Sequence, residues 1–247
     1  METKIRSKLS SMKKNFTKEW NASYKRNENN ILYPKEEVVK FLNRYIRKVI
    51  SFDNKYKTII KPINEKGEIR GLDFGCGTGR QTILMCEFLI DAYGCDISES
   101  AIKMAKKNSL TFGFQDLHDK MIVINDHNLP YSDKFFDFTI SEACLDSMKF
   151  QTAKVTLSEI ARVTRKFIYF SVIASDNRNY TLDENSETIV TDQHEYGTIQ
   201  SYFDDKKIND LIKNINLEII NKRKIIETDE INKHSNSRYY VVLENSK

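Results

Sequence analysis

The first two thirds of the chain alternate between short apolar segments and segments with helical periodicity. Short apolar runs are typical of buried strands, whereas apolar residues that recur every three or four positions indicate one face of a helix. The predicted strands cover 69–74, 91–95, 120–124, 138–141 and 166–173, and the helices between them cover 81–89, 99–108 and 151–164. Strands that alternate with helices predict βαβ units and a mostly parallel sheet with helices on both faces.

The two ends of the chain have other patterns. Pro34 and the acidic residues after it begin a predicted helix whose apolar positions extend to Ile50, and 53–68 is predicted to be a polar connector. The strand at 166–173 is almost continuously apolar, which is typical of a strand buried on both faces. The C-terminal part is predicted to form a helix and two antiparallel strands, at 205–215, 217–226 and 238–243.

The turn after the first of the core strands is rich in glycine. It reads DFGCGTGR over 73–80, with glycines at every second position. Glycine tolerates positive φ and lets a ligand lie against the backbone, and the helix that follows offers free N–H groups to the negative end of a ligand. A tight turn without a ligand would need only one glycine, so the pattern favours a binding site.

Asp96 ends the next strand, at about the distance from the glycines that a nucleotide site requires, roughly 20 residues. Its carboxylate is placed to accept hydrogen bonds from a ribose diol. Asp96 and Ser98 are also candidates for the N-cap of the following helix, a role compatible with ribose binding. The G-x-G-x-G spacing differs from the G-x-G-x-x-G of dinucleotide sites, and no P-loop lysine follows it.

These motifs resemble those of the class I S-adenosylmethionine-dependent methyltransferases. LDFGCGTGR over 72–80 is similar to the first motif of that family and GCDIS over 94–98 to the second. The resemblance implies S-adenosylmethionine as cofactor and a Rossmann-like α/β fold: a seven-stranded, mostly parallel sheet in the order 3-2-1-4-5-7-6 with an antiparallel C-terminal strand. The implied cofactor-binding residues here are Asp73, Gly75, Cys76, Gly77, Gly79, Arg80, Asp96 and Ile97, with Ile97 against the adenine.

A further match lies downstream, where LPYSDKFFDF over 129–138 is similar to a pattern of the same family. In that family the residues after the third strand hold the adenine edge, and Asp126 and His127 occupy those places. A carboxylate would accept a hydrogen bond from the adenine amine. The alternative is a simple turn, since Asp, His and Asn are all common in turns.

The N-terminal residues are polar and basic, with aromatic residues that include Trp20 and Tyr24. They form either a loosely ordered arm or a lid over the cofactor, and the resemblance favours a lid that uses both aromatic side chains. Without repeats or linkers the chain is predicted to be one domain. Its parts are the N-terminal arm and helix (1–50), the cofactor-binding core (69–173), a substrate-side insertion (174–200) and the C-terminal helix and strands (201–247).

Catalytic candidates follow the fourth and fifth core strands, because open α/β sheets bind ligands at the carboxyl ends of their strands. Glu142 and Asp146 come directly after the fourth strand and are candidates for contacts with the cofactor amine or the substrate. His194 lies in the insertion, and its near-neutral pKa suits a general base for a hydroxyl acceptor, although a surface histidine is the alternative. Glu195 and Tyr196 are weaker candidates for the same role.

The acceptor is much less clearly indicated than the cofactor. HEYGTIQSYF over 194–203 and the W-x-x-x-Y of the arm are similar to methyltransferases of bacterial surface-polysaccharide and small-metabolite pathways, which implies methylation of an oxygen of a sugar, sugar-nucleotide or phosphorylated acceptor. An anionic acceptor would need basic side chains, for which the candidates are Arg80, Lys149 and Arg178. The alternatives are an RNA or protein methyltransferase and a non-catalytic methyltransferase-like binding protein.

Composition limits the remaining possibilities. The 247 residues carry a net charge of +4, from 39 basic and 35 acidic side chains, which is too balanced to indicate a nucleic-acid partner. Four cysteines without paired spacing indicate small buried residues, a reducing compartment and no metal cluster. We find neither a signal peptide nor a membrane span, and therefore expect a cytoplasmic monomer or homodimer that acts on a small molecule.

Overall fold

A mixed sheet of seven strands organises the chain. The computed structural model describes residues 16–51, 53, 55–62, 67–125, 128–176 and 182–245. Its strands are β1 Arg47–Ser51, β2 Lys55–Thr58, β3 Arg70–Phe74, β4 Asp91–Asp96, β5 Met121–Val123, β6 Phe136–Glu142, β7 Thr164–Ile173, β8 Glu187–Ile189, β9 Ile199–Ser201, β10 Leu217–Asp229 and β11 His234–Asn245. Its α-helices are α1 Thr17–Lys25, α2 Glu36–Phe41, α3 Arg80–Glu87, α4 Glu99–Thr111, α5 Phe150–Val163 and α6 Asp205–Ile212.

The order of the large sheet is β10-β11-β7-β6-β3-β4-β5. The five adjacent strands β7, β6, β3, β4 and β5 pair in parallel, whereas β11 pairs antiparallel with both β7 and β10. Strand β11 therefore runs antiparallel to the other six strands of the sheet. Counted along the chain, the sheet has the order 3-2-1-4-5-7-6, which confirms the predicted Rossmann-like fold.

Two apolar clusters cover the two faces of this sheet. Helices α2, α3 and α4 contribute to one cluster, and α5 and α6 contribute to the other. Strand β7 contributes to both clusters, because Ile168 and Phe170 belong to the cluster of α5 and α6, whereas Tyr169, between them, belongs to the cluster of α2, α3 and α4. Burial on alternate faces explains its almost continuous apolar sequence. Each fully buried apolar side chain stabilises the fold by about 1.5–3 kcal/mol relative to an exposed one.

The predicted long helix after Pro34 is wrong. Helix α2 ends at Phe41, a π-helical turn continues to Ile46, and the chain then forms β1, which pairs antiparallel with β2 in the segment predicted to be a connector. The Arg47 guanidinium donates hydrogen bonds to the carbonyl oxygens of Phe88 and Leu89, 2.9 and 2.5 Å away, at the end of α3. This contact fixes the direction of the chain, and the β-branched residues that follow suit a strand.

The insertion after β7 contains a short antiparallel hairpin, β8–β9. The backbone N–H of Ser201 in β9 donates to the carbonyl oxygen of Asp146, 2.8 Å away, which ties the hairpin to the loop after β6. The insertion therefore lies at the carboxyl end of the parallel strands. None of the described helices has the length and apolarity of a membrane-spanning helix.

Candidate functional site

A cavity of about 600 Å³ opens at the carboxyl ends of β3, β4 and β6. This volume is within the roughly 300–1,000 Å³ of small-molecule sites. The glycine turn, the loop after β6, helix α1 and the insertion form its walls. The predicted site residues that line it are Trp20, Tyr24, Asp73, Gly75, Cys76, Gly77, Arg80, Asp96, Ile97, Glu142 and Asp146.

The glycine turn needs glycine for close packing as well as for its backbone conformation. Gly75 has φ +73°, and a Cβ there would lie 2.3 Å from the Sγ of Cys144. Gly77 has φ +53°, and a Cβ there would lie 2.6 Å from the hydroxyl of Tyr24. A side chain at either position would therefore strain the backbone and displace the wall of the cavity.

Gly79, the third predicted glycine contact, is not part of the described cavity wall. Its φ is +83°, and a Cβ there would come within 3.1 Å of the Cβ of Ala105 in α4. Gly79 precedes the first residue of α3. Glycine is therefore required at position 79 for the close approach of two helices, and its expected contact with the cofactor stays a prediction.

Asp96 is held in one orientation by backbone donors on both oxygens. Its Oδ2 accepts from the N–H of Gly77, 2.9 Å away, and its Oδ1 accepts from the N–H of Ser98, 2.8 Å away. Burial raises the pKa of Asp96, and these hydrogen bonds oppose that rise. The N-cap of α4 is Ser98, whose Oγ accepts from the N–H of Ala101. Asp96 is thus a fixed acceptor on the cavity wall.

Asp73 lies deeper behind the glycine turn, where its Oδ2 accepts from the hydroxyl of Thr82, 2.7 Å away. Burial raises the pKa of Asp73 to about 7. Burial also raises the pKa of the nearby thiols of Cys76, Cys95 and Cys144, so these cysteines are poor nucleophiles at neutral pH.

Helix α1 covers the cavity from above the sheet. Its Asn21 Oδ1 accepts from the Oγ of Ser98 and from the N–H of Ser100, at 2.9 and 3.0 Å, so α1 is attached to the start of α4. Trp20 and Tyr24 of α1 line the cavity. Burial and the neighbouring Asp96 carboxylate both raise the pKa of the Tyr24 phenol.

A second polar group of residues lies where β6 and β7 end. Asp146 Oδ2 accepts from the N–H of Ile173 at 2.8 Å and from the guanidinium of Arg238 at 2.9 Å. Glu142 Oε2 accepts from the hydroxyl of Tyr169 at 2.9 Å. Within the described residues, the other carboxylate oxygens, Asp146 Oδ1 and Glu142 Oε1, are buried without a hydrogen-bond partner. Each can accept a hydrogen bond from a bound molecule.

His194 does not face the cavity. Its imidazole is exposed, and its Nε2 lies 3.0 Å from the carbonyl oxygen of Glu28. The next residue, Glu195, lines the cavity instead, and burial raises its pKa. Glu195 has a left-handed backbone, φ +60°, and its N–H donates to the Glu28 carboxylate at 2.9 Å. The turn therefore directs His194 outward, which corrects the expected position of the general base.

The other candidates are placed as follows. Arg80 lines the cavity, and its guanidinium donates to the carbonyl oxygen of Tyr33 at 3.2 Å. Lys149 also lines the cavity. Asp126, His127 and Arg178 lie outside the described residues.

The sequence reasoning missed several polar residues of the cavity wall, of which Gln81 and Arg238 matter most for its chemistry. Gln81 follows Arg80 at the start of α3, and Arg238 belongs to the last strand, 92 residues from the Asp146 that it contacts. Gln81 could have been noticed as an amide in the first turn of the helix that follows the glycine turn. No local pattern indicates Arg238, because its role depends on the pairing of β11 with β7.

Comparison with known proteins agrees with this geometry. A family model described as a methyltransferase domain matches residues 65–240. A SAM-dependent methyltransferase from Methanosarcina mazei is 20% identical, with a TM-score of 0.60 over 72% of this chain and 92% of that chain. Magnesium protoporphyrin IX methyltransferase from Synechocystis PCC 6803 with bound SAM is 15% identical, with a TM-score of 0.51 over 72% and 71% of the two chains.

The same fold also occurs in the [4+2]-cyclase SpnF, which is 13% identical, with a TM-score of 0.56 over 72% of this chain and 75% of that chain. None of the curated proteins matches the chain. At these identities the solved structures establish the fold alone.

The residues present fit the cofactor that the family uses. The cavity offers a close-packed glycine turn, an acidic acceptor at the end of β4, and a buried amide at Gln81 without a partner among the described residues. The family model spans well over half of the chain. The chain therefore belongs to the methyltransferase-domain family, and it is a class I methyltransferase whose cofactor is S-adenosylmethionine.

Proposed function

We propose that the enzyme methylates a hydroxyl oxygen of a small polyhydroxylated acceptor, such as a sugar, a sugar nucleotide or a phosphorylated metabolite. The observation that carries this proposal is the pair of buried oxygens, Glu142 Oε1 and Asp146 Oδ1, that lack donors among the described residues. A buried acceptor left without a donor costs about 1–3 kcal/mol. An acceptor molecule with several hydroxyl groups would supply donors to both.

The proposed cofactor contacts occupy the opposite part of the wall. Asp96 accepts from the ribose diol, Ile97 packs on the adenine, and the backbone of Gly75 and Gly77 lies against the ligand. The remaining proposed contacts are Asp73, Cys76, Arg80, Trp20 and Tyr24, together with Asp126 and His127 at the adenine edge. S-adenosylmethionine supplies a methyl group on a positively charged sulfur, so the electrophile is activated before the acceptor arrives.

The protein must then orient the acceptor oxygen and exclude water, which can contribute several kcal/mol. A hydroxyl group is a poor nucleophile until its proton leaves, so a general base assists the reaction. We assign this role to Glu142 or Asp146, because each has a carboxylate oxygen available at the cavity. His194 is outside the wall and is not retained as the base.

The chemistry at the cavity mouth is compatible with a phosphorylated acceptor. Lys149 lines the cavity and carries positive charge. A lysine ammonium group binds phosphate as a compact point charge. Arg80, the other basic candidate on the described wall, is already a proposed cofactor contact. This is the basis for keeping nucleotide sugars and sugar phosphates in the proposed acceptor class. A surface-polysaccharide pathway and a cytoplasmic location remain part of this proposal.

The test is a methyl-transfer assay with S-adenosylmethionine and a panel of sugars, nucleotide sugars, sugar phosphates, amines and RNA. We expect S-adenosylhomocysteine to form with a hydroxylated small molecule and the product to carry its methyl group on oxygen. Glu142→Gln or Asp146→Asn should lower turnover by about 100-fold or more, the usual contribution of a general base, with little change in S-adenosylhomocysteine affinity. Glu218→Gln, at an exposed position of β10, is the matched control.

Methyl transfer to nitrogen or to RNA alone would contradict the proposal. Full turnover in both Glu142→Gln and Asp146→Asn would remove the assignment of the base while leaving the acceptor class intact.

A further inference from the structure

Gln81 is a buried polar side chain that the fold does not explain. It lies in the first turn of α3, and only 3% of it is exposed. Neither its Oε1 nor its Nε2 has a hydrogen-bond partner among the described residues. A buried amide with both ends unpaired is costly, because each end has lost its hydrogen bonds to water without gaining others. Its neighbour Thr82, by contrast, donates to Asp73.

Gln81 belongs to the wall of the cavity, so a bound molecule can supply the missing partners. Both a donor and an acceptor are needed, because the amide Nε2 donates and the amide Oε1 accepts. A purely anionic ligand would satisfy Nε2 alone, and a purely cationic ligand would satisfy Oε1 alone. A zwitterionic group satisfies both, as does a hydroxyl group, so the position of Gln81 in the cavity must decide between them.

The topology of the sheet indicates which part of the cofactor reaches Gln81. Asp96 ends β4, and the cavity continues toward β5 along Ile97, Ile124 and Asn125. Strand β3, the glycine turn and the start of α3 lie on the other side of β4. With ribose at Asp96 and adenine toward β5, the substituent at the ribose 5′ position extends toward β3 and α3.

We infer that Gln81 hydrogen-bonds to the α-amino-acid end of S-adenosylmethionine, with Nε2 donating to its carboxylate and Oε1 accepting from its ammonium group. Arg80 lines the same part of the wall and carries the positive charge that the carboxylate requires, and the carboxyl of Asp73 there can accept a hydrogen bond from the ammonium group. The inference rests on the cofactor and is independent of the proposed acceptor.

The experiment compares two ligands that differ in the amino-acid end. S-adenosylhomocysteine contains it and 5′-methylthioadenosine lacks it. Both are titrated by calorimetry into wild type, Gln81→Met and Gln200→Met, with 5′-methylthioadenosine also measured by displacement of S-adenosylhomocysteine. Gln200→Met is the matched control, because Gln200 lines the same cavity from β9 but has a partner in the hydroxyl of Tyr202.

We expect Gln81→Met to weaken S-adenosylhomocysteine binding about tenfold or more and to change 5′-methylthioadenosine binding less than threefold. The ligand-free variant should melt at least as high as wild type, since an apolar side chain of similar length replaces an unpaired amide. Gln200→Met should leave S-adenosylhomocysteine affinity within threefold. This combination is the signature of a ligand contact, since a merely structural amide would not select between the two ligands.

Equal losses for both ligands, no loss for S-adenosylhomocysteine, or a lower melting temperature for ligand-free Gln81→Met would overturn the inference. Failure of wild type to bind S-adenosylhomocysteine would overturn the cofactor itself. Selective loss in Gln81→Met without methylation of any hydroxylated acceptor would leave this inference standing and refute only the proposed function.

Discussion

The two ends of the cavity are constructed in different ways. Most of the proposed contacts at the cofactor end lie in one continuous segment, 73–97, whose backbone holds it together, since Asp96 accepts from Gly77 and Ser98. The end near Glu142 is assembled from three separate places, because Asp146, Glu195 and Arg238 reach it from the loop after β6, the insertion and β11. The first end is formed by residues that are close together in the sequence. The second end forms only when strands distant in the sequence pair.

Substitution of Gly75 gives the largest effect we expect at the cofactor end. Gly75→Ala combines a left-handed backbone with a Cβ 2.3 Å from the Sγ of Cys144, and each of these costs about 1–3 kcal/mol. We therefore expect a loss of about 3 kcal/mol or more in the free energy of unfolding, measured by urea titration. Gly113→Ala is the control, since its φ is +83° but no atom lies within 4 Å of its Cβ position.

The control should lose only about 1 kcal/mol, because it changes the backbone preference alone. Equal losses at the two positions would show that packing against Cys144 does not hold the turn.

Removal of the Arg238 charge tests the assembled end. Arg238→Met leaves the buried carboxylate of Asp146 without its cation, and breaking such a pair costs 3–5 kcal/mol when both groups are fully buried. The Arg238 side chain is 24% exposed, so we expect about 2–3 kcal/mol by urea titration. The double variant with Asp146→Asn should recover most of this loss, since no unpaired charge remains.

S-adenosylhomocysteine affinity should stay within about threefold in Arg238→Met if the two ends are independent. A parallel loss of affinity and stability would show instead that the paired strands also position the glycine turn.

The smallest effect concerns Asp73 and depends on pH. Its pKa of about 7 in the folded protein is above the reference value of 3.8. At a pH between these two pKa values, the Asp73 carboxyl is deprotonated in the unfolded chain and protonated in the folded protein. Asp73 therefore lowers the stability of the folded protein as pH rises, and it has no such effect below about pH 4. Asp73→Asn should therefore equal wild type in stability at about pH 4 and be more stable at about pH 5, by on the order of 1–2 kcal/mol.

Urea titrations across this range give the measurement. Parallel curves for the two proteins would show that the Asp73 carboxyl does not retain its proton on folding.

The same difference between the two ends of the cavity explains which of its residues the sequence predicts. Gly75, Gly77 and Asp96 line the cavity, and the sequence indicates them because their requirements, positive φ and the end of a strand, are local. Gly79 also has a positive φ, but it lies close to Ala105, so this requirement alone does not separate a ligand contact from helix packing. The sheet order was correct through resemblance to a family and not through spacing.

The other end could not be predicted in this way. Whether His194 or Glu195 faces the cavity depends on one residue with a left-handed backbone in a turn, and the periodicity of apolar residues gives no information about such a residue. Arg238 has no local signal, because its partner is defined by strand pairing. The prediction of a helix up to Ile50 was wrong for a related reason, because Arg47 contacts the end of α3 and this tertiary contact overrides the helical spacing.

The position of Arg238 in β11 has a consequence for how the enzyme is made. A ribosome produces the glycine turn, Asp96 and Glu142 long before it reaches the last strand. Until β11 has been synthesised and has entered the sheet between β7 and β10, Asp146 lacks the cation that pairs with it in the folded protein. Every residue of the glycine turn is therefore in the growing chain well before the guanidinium that completes the pair with Asp146.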